Sequence, residues 1–214
     1  MRVLFLTLYP EQAASPRYRV HQFLPHLRAR GFDCTVAPAV SARVWRRHSG
    51  PGRRGRAFWY HAHETPRRIA QLLSPRRYDV VVLQKALMSA YLRGMPALLR
   101  AGRANLVYDI DDAVHLAPPH PLRGPWRLLE DREQSRALMR RARMTLAGNA
   151  YLADAVEEAG GRPERFPTVV DTYRFVPGAA PENAFRLGWI GSPGTTPDLE
   201  PAAVSGAGLL CQGA

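Results

Sequence analysis

The sequence predicts an α/β fold, a Rossmann-like parallel sheet with helices on both faces. Apolar segments of strand character alternate along the chain with segments of helical periodicity, the pattern of parallel βαβ units. With 214 residues, 46% of them hydrophobic, the chain is long enough for a sizeable core. Cys34 and Cys211 are the only cysteines and lack CxxC spacing, so a disulfide framework and a thiolate zinc site are excluded.

The predicted strands are short runs of mostly apolar, β-branched residues, at 3–8, 32–36, 79–83, 105–110 and 144–147. The predicted helices carry an apolar stripe between capping and breaking residues, at 15–31, 66–73, 89–100, 126–141 and 151–159. In the first of them, Ser15 is expected to be the N-cap, followed by Pro16 at the first helical position. Gly31 is expected to end this helix, and Gly160 and Gly161 are expected to end the last one.

The composition of the sequence changes after Gly160 and Gly161, where the segment 166–171 leads into a Pro/Gly-rich stretch around 177–181. We therefore expect a first domain over 1–175, a linker over 176–184, and the start of a second domain over 185–214. The second unit begins with a predicted strand at 185–190. From about residue 200 the sequence has no capped amphipathic helix of the kind that should follow this strand, which indicates an incomplete domain with an atypical tail.

Four stretches carry a likeness to a known family: the apolar opening strand, the helix start at 15–20, the Tyr-Asp-Ile-Asp-Asp strand end at 108–112, and the segment Pro-Thr-Val-Val-Asp-Thr-Tyr-Arg-Phe at 167–175. Over roughly residues 1–197 the chain resembles the N-terminal half of a family 4 glycosyltransferase of the GT-B fold. Such enzymes place two Rossmann-like domains face to face, with the acceptor on the N-terminal side and the nucleotide-sugar donor on the C-terminal side.

The resemblance implies transfer of a sugar from a nucleotide-sugar donor to an acceptor hydroxyl, with no tightly bound cofactor and no metal. Because the donor-side domain is expected to be incomplete, the chain by itself is expected to be inactive or nearly so. The acceptor is expected to be a glycan or a lipid-linked compound, and the protein is expected in the cytoplasm, at most peripheral on the inner membrane face.

The helix start at Ser15 is a candidate acceptor or anion site. Backbone N–H groups and the positive end of the helix dipole would lie there at the carboxyl edge of the sheet, with Arg17 and Arg19 nearby. The alternative is that both arginines are exposed on the first turn of the helix and have no binding role.

Asp109, Asp111 and Asp112 place three carboxylates at one strand end. Asp109 and Asp111 are expected to share a face, with Asp112 on the other. By the resemblance, Asp111 and Asp112 occupy the position of a His-Asp pair and are the candidate catalytic residues, with Asp109 on the acceptor side. Three alternatives stay open: a DxD manganese site, an aspartyl-phosphate phosphatase motif, and helix capping.

The candidate donor-side residues are Gly191, Ser192, Gly194 and Thr195, in a loop that lacks the lysine of a P-loop. Glycines permit close backbone approach to a phosphate and hydroxyl groups donate to it. The resemblance implies that this loop faces the donor diphosphate, whereas a plain turn at a domain boundary is the alternative.

The formal charge of +12 is concentrated in one region, since residues 41–77 hold ten arginines against the single acid Glu64. Residues 41–60, predicted as a loop, interleave these arginines with aromatic side chains. This composition supports a second hypothesis, a non-catalytic basic module that binds an anionic lipid surface or, less favoured, nucleic acid. His61 and His63 have no third ligand in register, so metal binding is not expected there.

Overall fold

A six-stranded, all-parallel sheet organises the chain, as expected from the alternating pattern. The computed structural model describes residues 1–48, 56–73, 78–99, 105–119, 121–122 and 124–178. The strands are β1 (Arg2–Thr7), β2 (Asp33–Pro38), β3 (Val80–Gln84), β4 (Asn105–Ile110), β5 (Met144–Ala147) and β6 (Pro163–Arg165). Their spatial order is β2-β1-β3-β4-β5-β6. β6 is the one strand of the described sheet that the sequence pattern did not predict.

Seven α-helices accompany the described strands: α1 (Ala14–Arg19), α2 (Leu24–Ala29), α3 (Ala42–His48), α4 (Arg56–Leu72), α5 (Met95–Leu98), α6 (Gln134–Arg141) and α7 (Ala150–Glu158). Parallel strands are joined by right-handed crossovers. Two crossovers that run in opposite directions across the sheet therefore place their helices on opposite faces. Only the step from β1 to β2 runs towards the β2 edge. Accordingly α1 and α2 cover one face, and the later helices cover the other.

The core reflects this division. On the α1–α2 face, Val3, Phe5 and Cys34 pack with Val20 and Leu24 in a small buried cluster. The intervening residues point to the opposite face, where a larger cluster includes the strand residues Leu4, Leu6, Val81, Leu83, Tyr108 and Ile110 and the helix residues Leu72, Leu138, Leu152 and Val156. The two-residue period of the strands thus fills both faces, as predicted for a buried parallel sheet.

The prediction of a loop over 41–60 is wrong where the structure describes this segment. α3 covers Ala42–His48, and α4 begins at Arg56 rather than near Pro66, which lies inside the helix. The helix-breaking residues Gly50, Pro51, Gly52 and Gly55 all fall within 49–55. None of them lies inside either described helix, and the flanking Ala, Arg and aromatic residues are helical.

Three helix boundaries also differ from the prediction. The helix expected over 15–31 is broken near Val20 into α1, a 3-10 turn at His21–Phe23, and α2. Of the helix expected over 89–100, the described residues up to 99 form α5 alone. The helix expected over 126–141 is divided into a 3-10 segment at Gly124–Leu129 and α6, because Glu130 between them pairs with Leu92 in an isolated bridge. Tertiary contacts override the local helical pattern in this last case.

The two glycine stops are confirmed. Gly31 and Gly160 have φ values of +82° and +78°. After α7, the Gly160 N–H donates to the Glu157 carbonyl and the Gly161 N–H to the Val156 carbonyl, both at 2.8 Å, which is the Schellman arrangement. The predicted linker and second domain fall almost wholly beyond residue 178 and lie outside the described residues.

A substitution at Gly161 tests how closely this helix end packs. A Cβ atom there would lie 2.8 Å from both the Met139 carbonyl oxygen and Val156 Cγ1. We expect Gly161→Ala to lower the free energy of unfolding by about 1–3 kcal/mol, the usual effect of overpacking. Thermal unfolding measures it, with Gly178→Ala as control because a Cβ at Gly178 meets nothing within 4 Å. If the two variants are equally stable, Gly161 is not packed closely against Met139 and Val156.

Candidate functional site

Polar side chains converge at the carboxyl ends of β1, β3 and β4. β1 is joined by the chain to β2 on one side, whereas β3 leads towards the other edge of the sheet. Open α/β sheets bind ligands outside the carboxyl ends of the strands at such a reversal, and we refer to this place, outside the carboxyl ends of β1 and β3, as the crevice. The residues in and beside it come from α1, the end of β3 and the end of β4.

Ser15 joins the three elements. Its hydroxyl donates to Asp111 Oδ2 and accepts a 2.6 Å hydrogen bond from Gln84 Nε2. Ser15 is therefore not the helix N-cap that the sequence predicted, since α1 begins at Ala14 and its N-cap, Ala13, makes no side-chain cap. The hydroxyl instead holds the Asp111 carboxylate in a defined orientation.

One helical turn later, Arg19 pairs with Asp109. Arg19 Nε lies 3.1 and 3.2 Å from the two carboxylate oxygens, Nη2 also bonds Oδ1, and Nη1 donates to the Phe166 carbonyl. The side chains of Arg19 and Asp109 are 0% and 3% exposed. Burial raises the pKa of Asp109 to about 6, and the Arg19 guanidinium opposes this rise. In this geometry Arg19 supports the site from inside the protein, and its contact with an acceptor stays a prediction.

The spacing of these two contacts follows from the geometry of the elements. Residues four apart on a helix are separated by about 6 Å along its axis, and residues two apart on a strand by about 6.6 Å. Ser15 and Arg19 on α1 can therefore meet Asp111 and Asp109 at the same time. The expectation that both aspartates share a face agrees with this pairing. Arg17 instead is exposed, with its guanidinium 5.2 Å from the Tyr18 ring centroid.

Asp112 turns the other way. Its Oδ2 pairs with the Nζ of Lys85, the residue immediately after β3. The Lys85 side chain is 15% exposed and that of Asp112 is 61% exposed, so this pair lies at the solvent side of the site. Tyr9, after β1, lies close enough for Asp112 to contribute to the raised pKa of its phenol, although burial is the main cause.

Two buried acceptor atoms around Ser15 have no hydrogen-bond donor: Asp111 Oδ1 and Gln84 Oε1. Gln84 is fully buried. Buried acceptors without donors are unfavourable, so this place suits a group that donates hydrogen bonds, such as a hydroxyl. An external anion at Ser15, the sequence-based expectation, would be repelled by the Asp111 carboxylate already present.

Sequence patterns missed three residues that build the site. Gln84 and Lys85 follow the apolar residues of β3, and a polar pair at the end of a buried strand is the signal that could have identified them. Gly148, after β5, leaves room for the β4 end, because a Cβ there would lie 3.3 Å from the Asp111 Cα. The candidate donor residues Gly191, Ser192, Gly194 and Thr195 lie outside the described residues, so their role stays a prediction.

No family model matches the chain, and no curated protein matches it. The described part of the chain contains no cluster of three or more His, Cys, Asp and Glu side chains placed to hold a metal ion. None of its described helices is long and apolar enough to cross a membrane. A Rossmann-like sheet hosts many unrelated activities, so function has to be inferred from the residues at the crevice.

The Asp109–Arg19 pair makes a prediction about pH. Because the folded-state pKa of Asp109, about 6, lies above its ordinary value of 3.8, its contribution to stability is present below pH 4 and is lost as the pH rises through 6. At neutral pH this contribution is already lost, so Asp109→Asn acts by leaving the buried Arg19 without a charged partner, and we expect a loss of about 3–5 kcal/mol.

Chemical denaturation between pH 4 and 7 measures the effect, and a carbon-13 titration of the Asp109 carboxyl reports its pKa directly. Asp154→Asn, at an exposed position of α7, serves as control and should keep the pH profile of the wild type. A titration midpoint below pH 4 would show that pairing with Arg19 outweighs burial.

Proposed function

We propose that the described domain is the acceptor side of a GT-B glycosyltransferase that transfers a sugar from a nucleotide-sugar donor to an acceptor hydroxyl. The observation that carries the proposal is the pair Asp111 and Asp112 at the carboxyl end of β4, beside the switch point of an all-parallel sheet. Ser15 and Lys85 hold the two carboxylates in different directions. The sequence likeness adds support from the stretches at 15–20, 108–112 and 167–175.

Asp111 is the group suited to orient the acceptor hydroxyl or accept its proton. Its Oδ2 is occupied by the Ser15 hydroxyl, while its buried Oδ1 has no donor. A carboxylate fixed through one oxygen and unpaired at the other can bind a substrate O–H at the free oxygen. Because this oxygen is buried, a small shift of the crevice has to accompany binding.

Asp112 and the exposed Arg17 complete the acceptor side in this proposal. Asp112 is exposed enough to contact a second hydroxyl of a polyol, and Lys85 neutralises part of its charge. Arg17 is exposed on α1, two residues after Ser15. The donor diphosphate would be met by Gly191, Ser192, Gly194 and Thr195, as the family likeness implies.

The contacts of Asp109 favour this proposal over the two other chemistries suggested by the aspartates. In a DxD manganese site, Asp109 and Asp111 would both offer oxygens to the cation, and in an aspartyl phosphatase Asp109 would be the nucleophile. Asp109 is 2% exposed and its oxygens are bound to Arg19. Its carboxylate is thus engaged in a buried pair rather than presented to a substrate.

The acceptor role of Asp111 can be tested by NMR titration with glucose, mannose and glycerol, which probe recognition of neutral hydroxyl groups. We expect at least one probe to shift the resonances of Ser15, Gln84 and Asp111. Asp111→Asn should weaken binding about 10- to 100-fold, the usual effect of losing a hydrogen bond to a charged group. Asp154→Asn is the matched control. If Asp111→Asn binds the probe as tightly as Asp154→Asn does, the assignment is refuted.

A second candidate function rests on α3. Arg43, Arg46 and Arg47 are exposed, and their three- and four-residue spacing places them on one side of the helix. This cationic face fits an anionic lipid surface, so the domain would bind membranes peripherally, with or without catalysis. Arg68, part of the same basic region of the sequence, does not contribute, because it is fully buried.

Sedimentation with vesicles separates this function from the first. We expect binding to vesicles that contain phosphatidylglycerol but not to pure phosphatidylcholine, with affinity falling as salt rises. Changing Arg43, Arg46 and Arg47 together to Gln should abolish binding, whereas Asp111→Asn should leave it intact. Loss of binding in the Asp111 variant alone, or equal binding to neutral vesicles, would count against a cationic lipid site.

A further inference from the structure

Lys85 occupies a backbone conformation that its side chain disfavours. Its φ is +72°, the one positive φ among the described non-glycine residues. The Ala86 N–H donates to the Gln84 carbonyl at 3.0 Å, so residues 84–86 form a tight turn closed by an i to i+2 hydrogen bond, and the positive φ of Lys85 places it in the rarer, strained class of γ-turn. Glycine adopts positive φ without this steric cost, yet the chain places its only lysine here.

The neighbouring strand clamps both backbone groups of Lys85. Its N–H donates to the Asp109 carbonyl at 2.8 Å, and its carbonyl accepts a 3.0 Å hydrogen bond from the Tyr108 hydroxyl. Tyr108 is fully buried and its hydroxyl also lies 3.0 Å from the Ser135 hydroxyl. The turn is thus held from β4 and α6, and the strain persists because the surroundings determine it.

The turn directs two successive side chains to different partners. The Gln84 amide reaches Ser15, which holds Asp111, and the Lys85 ammonium reaches Asp112. A partly exposed ion pair stabilises a protein by less than a non-glycine residue at positive φ destabilises it. The ion pair therefore does not offset the strain. This indicates that lysine is present here because the position of its ammonium matters for the site.

We propose that Lys85 is a positioning residue, held by a strained turn at the switch point so that its ammonium fixes Asp112 while Gln84 fixes Ser15 and Asp111. This inference rests on the proposed function, because it assigns how the two candidate catalytic carboxylates are kept apart and oriented. It adds Gln84 and Lys85 to the site, neither of which the sequence motifs identified.

The strain is tested by comparing Lys85→Gly with Lys85→Ala, which both remove the ammonium and differ by one methyl group. At positive φ the glycine variant should be the more stable, with a Tm about 2–4 °C higher. At the exposed helical control position Asp154, the order should reverse, since alanine is favoured over glycine inside a helix. If Lys85→Ala is as stable as Lys85→Gly, the turn is not strained.

Positioning is tested by a signal that strain alone would not move. Because Lys85 is the only lysine, its nitrogen-15 ammonium resonance is unique, and pairing with Asp112 should protect it from exchange with water. We expect Asp112→Asn to remove this protection and Asp154→Asn to retain it. The carbon-13 carboxyl shift of Asp112 should change in Lys85→Ala and return towards the wild-type value in Lys85→Arg.

The inference would be overturned if the Lys85 ammonium stayed protected from exchange in Asp112→Asn. It would also be overturned if the carbon-13 shift of the Asp112 carboxyl were the same whichever residue stands at position 85. None of these measurements needs a sugar, so they stand or fall separately from the proposed function. Titration with glucose, mannose and glycerol then links the two: weakened binding in Lys85→Ala that Lys85→Arg restores supports a role in the site. Unchanged binding in Lys85→Ala would reject that role.

Discussion

The buried pair of Arg19 and Asp109 is the interaction on which the candidate site depends. It ties α1 to the end of β4, and the remaining Arg19 nitrogen ties both to the Phe166 carbonyl after β6. Removing one member of such a pair leaves a charge in a place that water does not reach, so the three elements are bound to a common arrangement. Ser15 and Asp111 meet because Ser15 lies one turn before Arg19 on α1 and Asp111 lies two residues after Asp109.

A second pair of charged residues supports the opposite side of the crevice. Glu64 and Arg68, four residues apart on α4, are both fully buried. Arg68 donates to the carbonyls of Thr7 and Ala37 at the ends of β1 and β2, while Glu64 accepts from the N–H and hydroxyl of Ser89 after β3. Burial lowers the pKa of Arg68 to about 9. The strand ends that form the crevice are thus fastened by one helix on each face of the sheet.

The fold was largely predictable and the details of the site were not. Runs such as 79–83 and 105–110 identify buried strands because a parallel sheet covered on both faces needs apolar residues throughout. The helices at 42–48 and from 56 onwards were missed because glycine and proline at 50–55 dominate the local pattern, although none of them lies inside either helix. The division of 126–141 depends on the pairing of Glu130 with Leu92, which lies far away in sequence.

The sequence by itself determined the parallel α/β architecture, the glycine stops at residues 31 and 160, and the gathering of Asp109, Asp111 and Asp112 at one strand end, since all three follow from local periodicity and backbone preference. Only the tertiary structure decided what each carboxylate meets. Asp109 is buried against Arg19, Asp111 is held by Ser15, and Asp112 is paired with Lys85. These partners come from segments up to 96 residues away. Strand order and crossover handedness bring these segments together, and local sequence patterns do not specify contacts between residues so far apart in the chain.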